Sequence, residues 1–120
     1  VVGGRDATGQ HLSDGECYDP ETHSWTSISS MKFKRRSAEE FSLHGQSYVM
    51  GGYDGKNAVT TLERYDTATD TWTTLAEMKT GRYCFSVGSS CGKIFVFGGF
   101  DSHHGAKVCT SVEMYDPETN

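Results

Sequence analysis

Apolar residues in this chain come in short runs, and the runs recur. Val1-Val2, Tyr48-Val49-Met50 and Ile94-Phe95-Val96-Phe97 each stop at a glycine pair, Gly3-Gly4, Gly51-Gly52 and Gly98-Gly99, and the pairs are separated by 48 and 47 residues. Stretches of alternating character follow: Leu62 and Arg64 oppose Glu63 and Tyr65, and Val112 and Met114 oppose Glu113 and Tyr115. Alternation with a period of two puts successive side chains on opposite faces of an extended strand, and no segment shows the helical period instead. The pattern predicts buried strands over Gln46 to Met50 and Lys93 to Phe97, entered through the turn candidates His44-Gly45 and Cys91-Gly92. It predicts further strands over Val59 to Asp66 and Val108 to Asp116.

The punctuation between these strands is also periodic. Tyr18-Asp19, Tyr65-Asp66 and Tyr115-Asp116 each open a turn, in the first and third copies spelled Asp-Pro-Glu-Thr, and Trp25 and Trp72 stand seven residues after the first two tyrosines on the strand that follows. A loop around Met31 or Met78 then leads through Arg35-Arg36 or Arg82 to the first strand of the next copy. Each copy is thus an antiparallel meander of four strands. Four-stranded sheets repeated every 40 to 50 residues are the blades of a β-propeller.

Composition narrows the classes. With 120 residues, 35% hydrophobic and 22% charged, the chain reads as one globular unit, and its longest apolar runs fall far short of the roughly 18 residues of a transmembrane helix. Eleven basic against sixteen acidic residues give a formal charge of −5, which argues against nucleic acid as a partner, and the short apolar runs lead to the expectation of no membrane partner. The basic run Lys32-Phe33-Lys34-Arg35-Arg36 is either a solvated loop or a docking patch for an acidic partner. Cys17, Cys84, Cys91 and Cys109 form no CxxC pair and read as reduced cysteines of a cytoplasmic protein.

The combination of Gly-Gly, a glutamate two residues before each Tyr-Asp tyrosine (Glu16, Glu63, Glu113), tryptophan, methionine and arginine resembles the kelch repeat, and the resemblance covers essentially the whole chain. Gly51-Gly52-Tyr53-Asp54-Gly55 and Tyr115-Asp116-Pro117-Glu118-Thr119-Asn120 are most similar to the kelch domains of BTB-kelch proteins. The resemblance implies an all-β fold: a β-propeller fragment of four-stranded antiparallel kelch blades, with a partial blade over 1–30, a complete one over 31–77 and a partial one over 78–120. Such propellers close with about six blades, so the expectation is a piece of a longer chain, or a chain that finds its neighbours in another molecule. The signature residues themselves are expected to build. Glycine pairs let blades approach, Tyr65 and Trp72 fill seams, and the glutamates find cationic or backbone donors.

Recognition is expected on loops, because the connection between blades and the loop from the second to the third strand emerge on one face. In BTB-kelch adaptors, the resemblance implies, that face receives a substrate peptide for a cullin-based ubiquitin ligase. Carried over by position, the residue after Gly-Gly is Arg5, Tyr53 and Phe100. The Arg-Ser pair at the blade entrance matches Arg36-Ser37, followed in the next copy by Arg82-Tyr83. Arg35 and Arg82 both lie 16 residues before a glycine pair, which makes Arg35 the competitor of Arg36; the following Ser37 favours Arg36. Lys56 and Asn57 in one crossover loop, and Asp101, Ser102, His103 and His104 in the longer one, complete the candidate partner-binding set. On the inner strand, Glu40 is matched to Ser86 and is expected to face the solvated channel or an arginine.

No catalytic constellation emerges, so the chain reads as a binding module and not an enzyme, with no cofactor and no metal site. His103-His104 are adjacent and lack further ligands, Glu39-Glu40 lacks a facing carboxylate, and Ser37 and the cysteines lack an activating partner. The expected partner is a protein or peptide. An actin-binding kelch protein and, further off, a carbohydrate-active propeller enzyme are the alternatives.

Overall fold

The computed structural model describes residues 1–101 and 106–120. Nine strands are found among them: β1 (Gly15–Asp19), β2 (Ser24–Ile28), β3 (Glu39–Leu43), β4 (Gln46–Met50), β5 (Leu62–Asp66), β6 (Thr71–Thr74), β7 (Ser86–Ser90), β8 (Lys93–Phe97) and β9 (Val112–Tyr115). They form three antiparallel sheets in chain order, β1-β2, β3-β4-β5-β6 and β7-β8-β9. The middle sheet is a complete four-stranded meander, as the repeat requires.

Local chemistry explains each connection. Leu43 faces Gln46 and Ser90 faces Lys93, so His44-Gly45 and Cys91-Gly92 are two-residue hairpin loops. Both residues of each loop have positive φ, 50° and 74° in one and 50° and 71° in the other, the combination that matches the twist of the flanking strands. In the three Tyr-Asp turns, Oδ1 of Asp19, Asp66 or Asp116 accepts the N–H two residues on. The fourth residue past each of these aspartates, His23, Asp70 or Asn120, has positive φ, and each meets the hydroxyl of the preceding tyrosine at 2.8 to 3.1 Å.

The third strands are shorter than the sequence predicts, starting at Leu62 and Val112 instead of Val59 and Val108. The backbone ahead of them is used elsewhere. Val59 N–H donates to Gly52, Thr61 O accepts from Gly51, and Thr60 O and Val59 O accept from Met78 and Arg82 of the next copy, so residues 59 to 61 cannot also pair with β4.

The core lies between the second and third sheets: Tyr48, Met50 and Leu62 meet Met78, Phe85, Ile94 and Val96. Gly51 and Gly52 let the sheets come together. Both have positive φ, Gly52 N–H donates to Arg82 O at 2.7 Å, and a Cβ on Gly51 would sit 2.6 Å from the Phe85 ring and 2.7 Å from Arg82 O. Gly4 makes the same bond to Arg35 O. At the outer ends the sheets are clipped a second time, since Asp70 accepts the N–H and hydroxyl of Ser29 and Trp72 Nε1 donates to Ser29 O. Asn120 repeats the clip on Ala76 N–H.

Candidate interaction site on the crossover loops

The two arginines that lie 16 residues before a glycine pair occupy one structural position, inside the protein. Arg35 is 1% exposed; its guanidinium donates to Gly51 O, Thr61 O, Thr61 Oγ1 and Glu63, whose other oxygen accepts Lys32 N–H. Arg82 is 0% exposed and does the same with Gly98 O, Ser111 O, Ser111 Oγ and Glu113, and Glu113 accepts the N–H groups of Lys79 and Thr80. Arg35, not Arg36, is therefore the equivalent of Arg82. This corrects the sequence reading twice: the register moves by one residue, and Arg35 and Arg82 are struts that face no partner. A glutamate that must be buried on the third strand selects the arginine able to reach it.

The same shift reassigns the inner strand. Glu39 pairs with Met50 and Ser86 with Phe97, each just before a glycine pair, so Ser86 corresponds to Glu39 and not to Glu40. Glu40 stays exposed in the cleft beside the first sheet, where its Oε1 accepts Val2 N–H at 3.3 Å; its partner is a backbone amide and not an arginine. Burial, and then the neighbouring charge of Glu40, push the Glu39 carboxyl above its usual range.

With Arg35 inside, Arg36 takes the position of Tyr83. Short bridges extend the sheets beyond their ends: Arg36 pairs with Tyr53 and Tyr53 with Ala58, Tyr83 with Phe100 and Phe100 with Val108, and Arg5 with His11. Three crossover loops thus become small ladders that carry their side chains along one rim. The ring centroids of His11 and Tyr53 are 5.9 Å apart, those of Tyr53 and Tyr83 5.3 Å, and those of Tyr83 and Phe100 5.8 Å. Arg36 Cζ lies 5.3 Å from the Tyr53 centroid and Arg36 Nε donates to His11 Nε2 at 3.0 Å. A continuous row of four rings and a guanidinium results, drawn from all three copies and half-buried except for the more exposed Phe100.

The remaining candidates lie around this row. Arg5 is exposed and donates from Nε to Gly9 O across its own loop. Lys56 and Asn57 are exposed on a turn whose two N–H groups are both accepted by Asp54 Oδ1 at 2.7 Å. Burial pushes the Asp54 carboxyl up, but these two amides, with the charge of Lys34, hold it below the ordinary carboxylate range. Ser37 is exposed with φ of 52°, and its carbonyl accepts Cys84 N–H. Asp101 donates its N–H to Lys107 O. His103 falls outside the described residues, as do Ser102 and His104. A groove of about 600 Å³ lined by Lys32, Phe33, Lys34, Asp54, Val59 and Glu77 adjoins the rim.

His11 is the member of the row that the sequence pattern does not single out. The signal was its place opposite Arg5, where the other copies have Ala58 and Val108 opposite Tyr53 and Phe100.

The Kelch motif matches residues 1–32, 42–79 and 81–120. The chain is similar to an F-box/kelch-repeat protein of Arabidopsis thaliana, with 46% identity over 52 residues, 43% of this chain and 14% of that protein. It is also similar to Kelch-like protein 28 of Homo sapiens (38% over 48 residues, 40% of this chain and 8% of that protein) and Kelch-like protein 8 of Mus musculus (34% over 62 residues, 52% and 10%). The chain therefore spans no more than about a seventh of these relatives. Three motif matches over nearly all residues, three antiparallel sheets in chain order and two copies of the Arg–Glu strut place this chain in the kelch-repeat family, as a protein-interaction module built from propeller blades.

Proposed function

We propose that this chain is part of the substrate-recognising propeller of a cytoplasmic, cullin-based ubiquitin ligase adaptor, and that its rim takes a peptide segment of the substrate. The observation that carries the reading is the row His11, Arg36, Tyr53, Tyr83 and Phe100, held on short loop ladders at one edge of three sheets. Rigidly held aromatic and arginine side chains are the residues that anchor protein partners, and loops on a fixed scaffold are where they concentrate. Similarity to Kelch-like proteins supports the adaptor role. One relative couples kelch repeats to an F-box, so the reading concerns the kelch surface and leaves the neighbouring domain open.

The test uses the full-length protein, affinity-purified from cells and analysed by mass spectrometry. A cullin and a set of further proteins are expected with the parent, and the double variant Arg36→Ala/Tyr53→Ala is expected to keep the cullin and lose members of that set. Retention of every companion by the variant would remove the rim from the reading. A parent that brings no cullin and co-pellets with actin filaments would replace the adaptor role with a cytoskeletal one.

A further inference from the structure

Two classes of arginine coexist at the blade entrances. Arg35 and Arg82 have glutamate partners and are sealed, whereas Arg36 and Arg5 have no carboxylate within ion-pair distance among the described residues. Arg36 is the more constrained of these two. Its Nε–H is committed to His11 Nε2 at 3.0 Å and its plane lies near the Tyr53 ring, at 5.3 Å from the centroid. Neither Nη nitrogen has a hydrogen-bond partner among the described residues, and neither is sealed from solvent. Such a guanidinium has lost much of its rotamer freedom yet keeps its terminal fork of donors open. A planar fork of that kind matches two oxygens of one carboxylate or phosphate.

The hydrogen bond also fixes the state of the histidine. Because Arg36 cannot accept, His11 Nε2 must present a lone pair, and the ring proton sits on Nδ1. That nitrogen faces Gly55, where an added Cβ would lie 2.9 Å away, so the loop after Asp54 closes over the ring from the other side. His11 belongs to the first copy and Arg36, Tyr53 and Gly55 to the second; the receptor is assembled across their boundary.

We propose that His11 is a positioning residue that holds Arg36 as a fixed-fork receptor for a carboxylate or phosphate group of the bound peptide. The inference rests on the reading that this rim takes a peptide, and it adds the chemistry of one anchor and the residue that sets it.

The test selects peptides from a random display library on the full-length protein and measures the resynthesised winners by isothermal titration. Each acidic residue is replaced in turn by its amide, and in a parallel set by phosphoserine, which separates carboxylate from phosphate as the source of the anion. One acidic position is expected to lose about ten-fold on amide replacement in the parent and almost nothing in Arg36→Ala. His11→Phe, which keeps a ring against Tyr53 but offers no acceptor, is expected to lose about the same. His11→Gln, which restores an acceptor near the Nε2 position, should recover to within about three-fold of the parent. Winners with no acidic dependence, His11→Phe binding as the parent does, or His11→Gln as weak as His11→Phe would each overturn the proposal. If Arg36→Ala and Tyr53→Ala both leave every winner unchanged, the rim reading itself fails and takes this one with it.

Discussion

Arg35 and Arg36 are chemically identical neighbours with opposite duties. A guanidinium at 1% exposure is tolerable because Glu63 and four further oxygens meet it, and removing it leaves Glu63 buried without its cation. Arg35→Ala is therefore expected to cost about 3 to 5 kcal/mol in urea denaturation, and Arg36→Ala less than about 1 kcal/mol. The reverse order would return the strut to Arg36 and undo the register drawn here. Sequence spacing did pair Arg35 with Arg82, since both stand 16 residues before their glycine pair, but it does not say that either is buried. Ser37 was the stronger-looking cue and pointed one residue too far, because a short motif carries no information on which arginine faces a buried carboxylate.

Strands and turns were far more legible than this pair. The hairpins at His44-Gly45 and Cys91-Gly92, the Asp-led turns and the alternation along β5 and β9 follow from φ preferences and from the geometry of a pleat, both of which act over a few residues. At this scale the glycine pair is the weak link to probe. Gly51→Ala would force a side chain at φ of 62° into Phe85 and the Arg82 carbonyl, and is expected to lower stability by about 2 kcal/mol or more in thermal or urea unfolding. An unchanged midpoint would mean that the sheets do not pack through this contact.

The turn from β5 to β6 makes stability depend on pH at both ends of the scale. Desolvation, followed by the hydrogen bond to Asp70 and that carboxylate's charge, pushes the Tyr65 hydroxyl up to about 12. A raised folded value means that its contribution is complete below the unfolded value of about 10 and lost as pH climbs from there toward 12. Asp70 is shifted the other way, lowered by the Ser29 amide and then by the Tyr65 and Ser29 hydroxyls. Its contribution is present above the ordinary aspartate range and lost as pH falls below it. Melting temperature followed against pH should drop at both ends, and Tyr65→Phe should flatten the alkaline limb. A Tyr65→Phe protein with an unaltered alkaline limb would disprove the coupling.

Across the whole molecule, stability depends on one sheet covering the next. Met50 and Leu62 are 1% and 0% exposed beneath the third sheet, whereas Phe97 and Val112, at the matching positions of that third sheet, are 44% and 63% exposed. Leu62→Ala should cost about 2 to 5 kcal/mol, as for other well-packed leucines. Phe97, Val112 and Met114 together leave apolar side chains uncovered, the kind of surface that favours association. Sedimentation velocity on the 120-residue chain is expected to show concentration-dependent self-association, reduced by Val112→Lys. A single monomeric species at all concentrations would show that this face needs no cover.

By itself the sequence determined that the chain is a repeated all-β meander, where most strands lie and which residues turn. Those properties are set by neighbours along the chain. Tertiary structure alone decided that Arg35 is inside and Arg36 at the rim, that the third strands start late, and that His11 meets an arginine 25 residues away in the next copy. Each of these depends on how one sheet is offset against another, and that offset is fixed by glycine contacts and buried charge pairs acting across the seam.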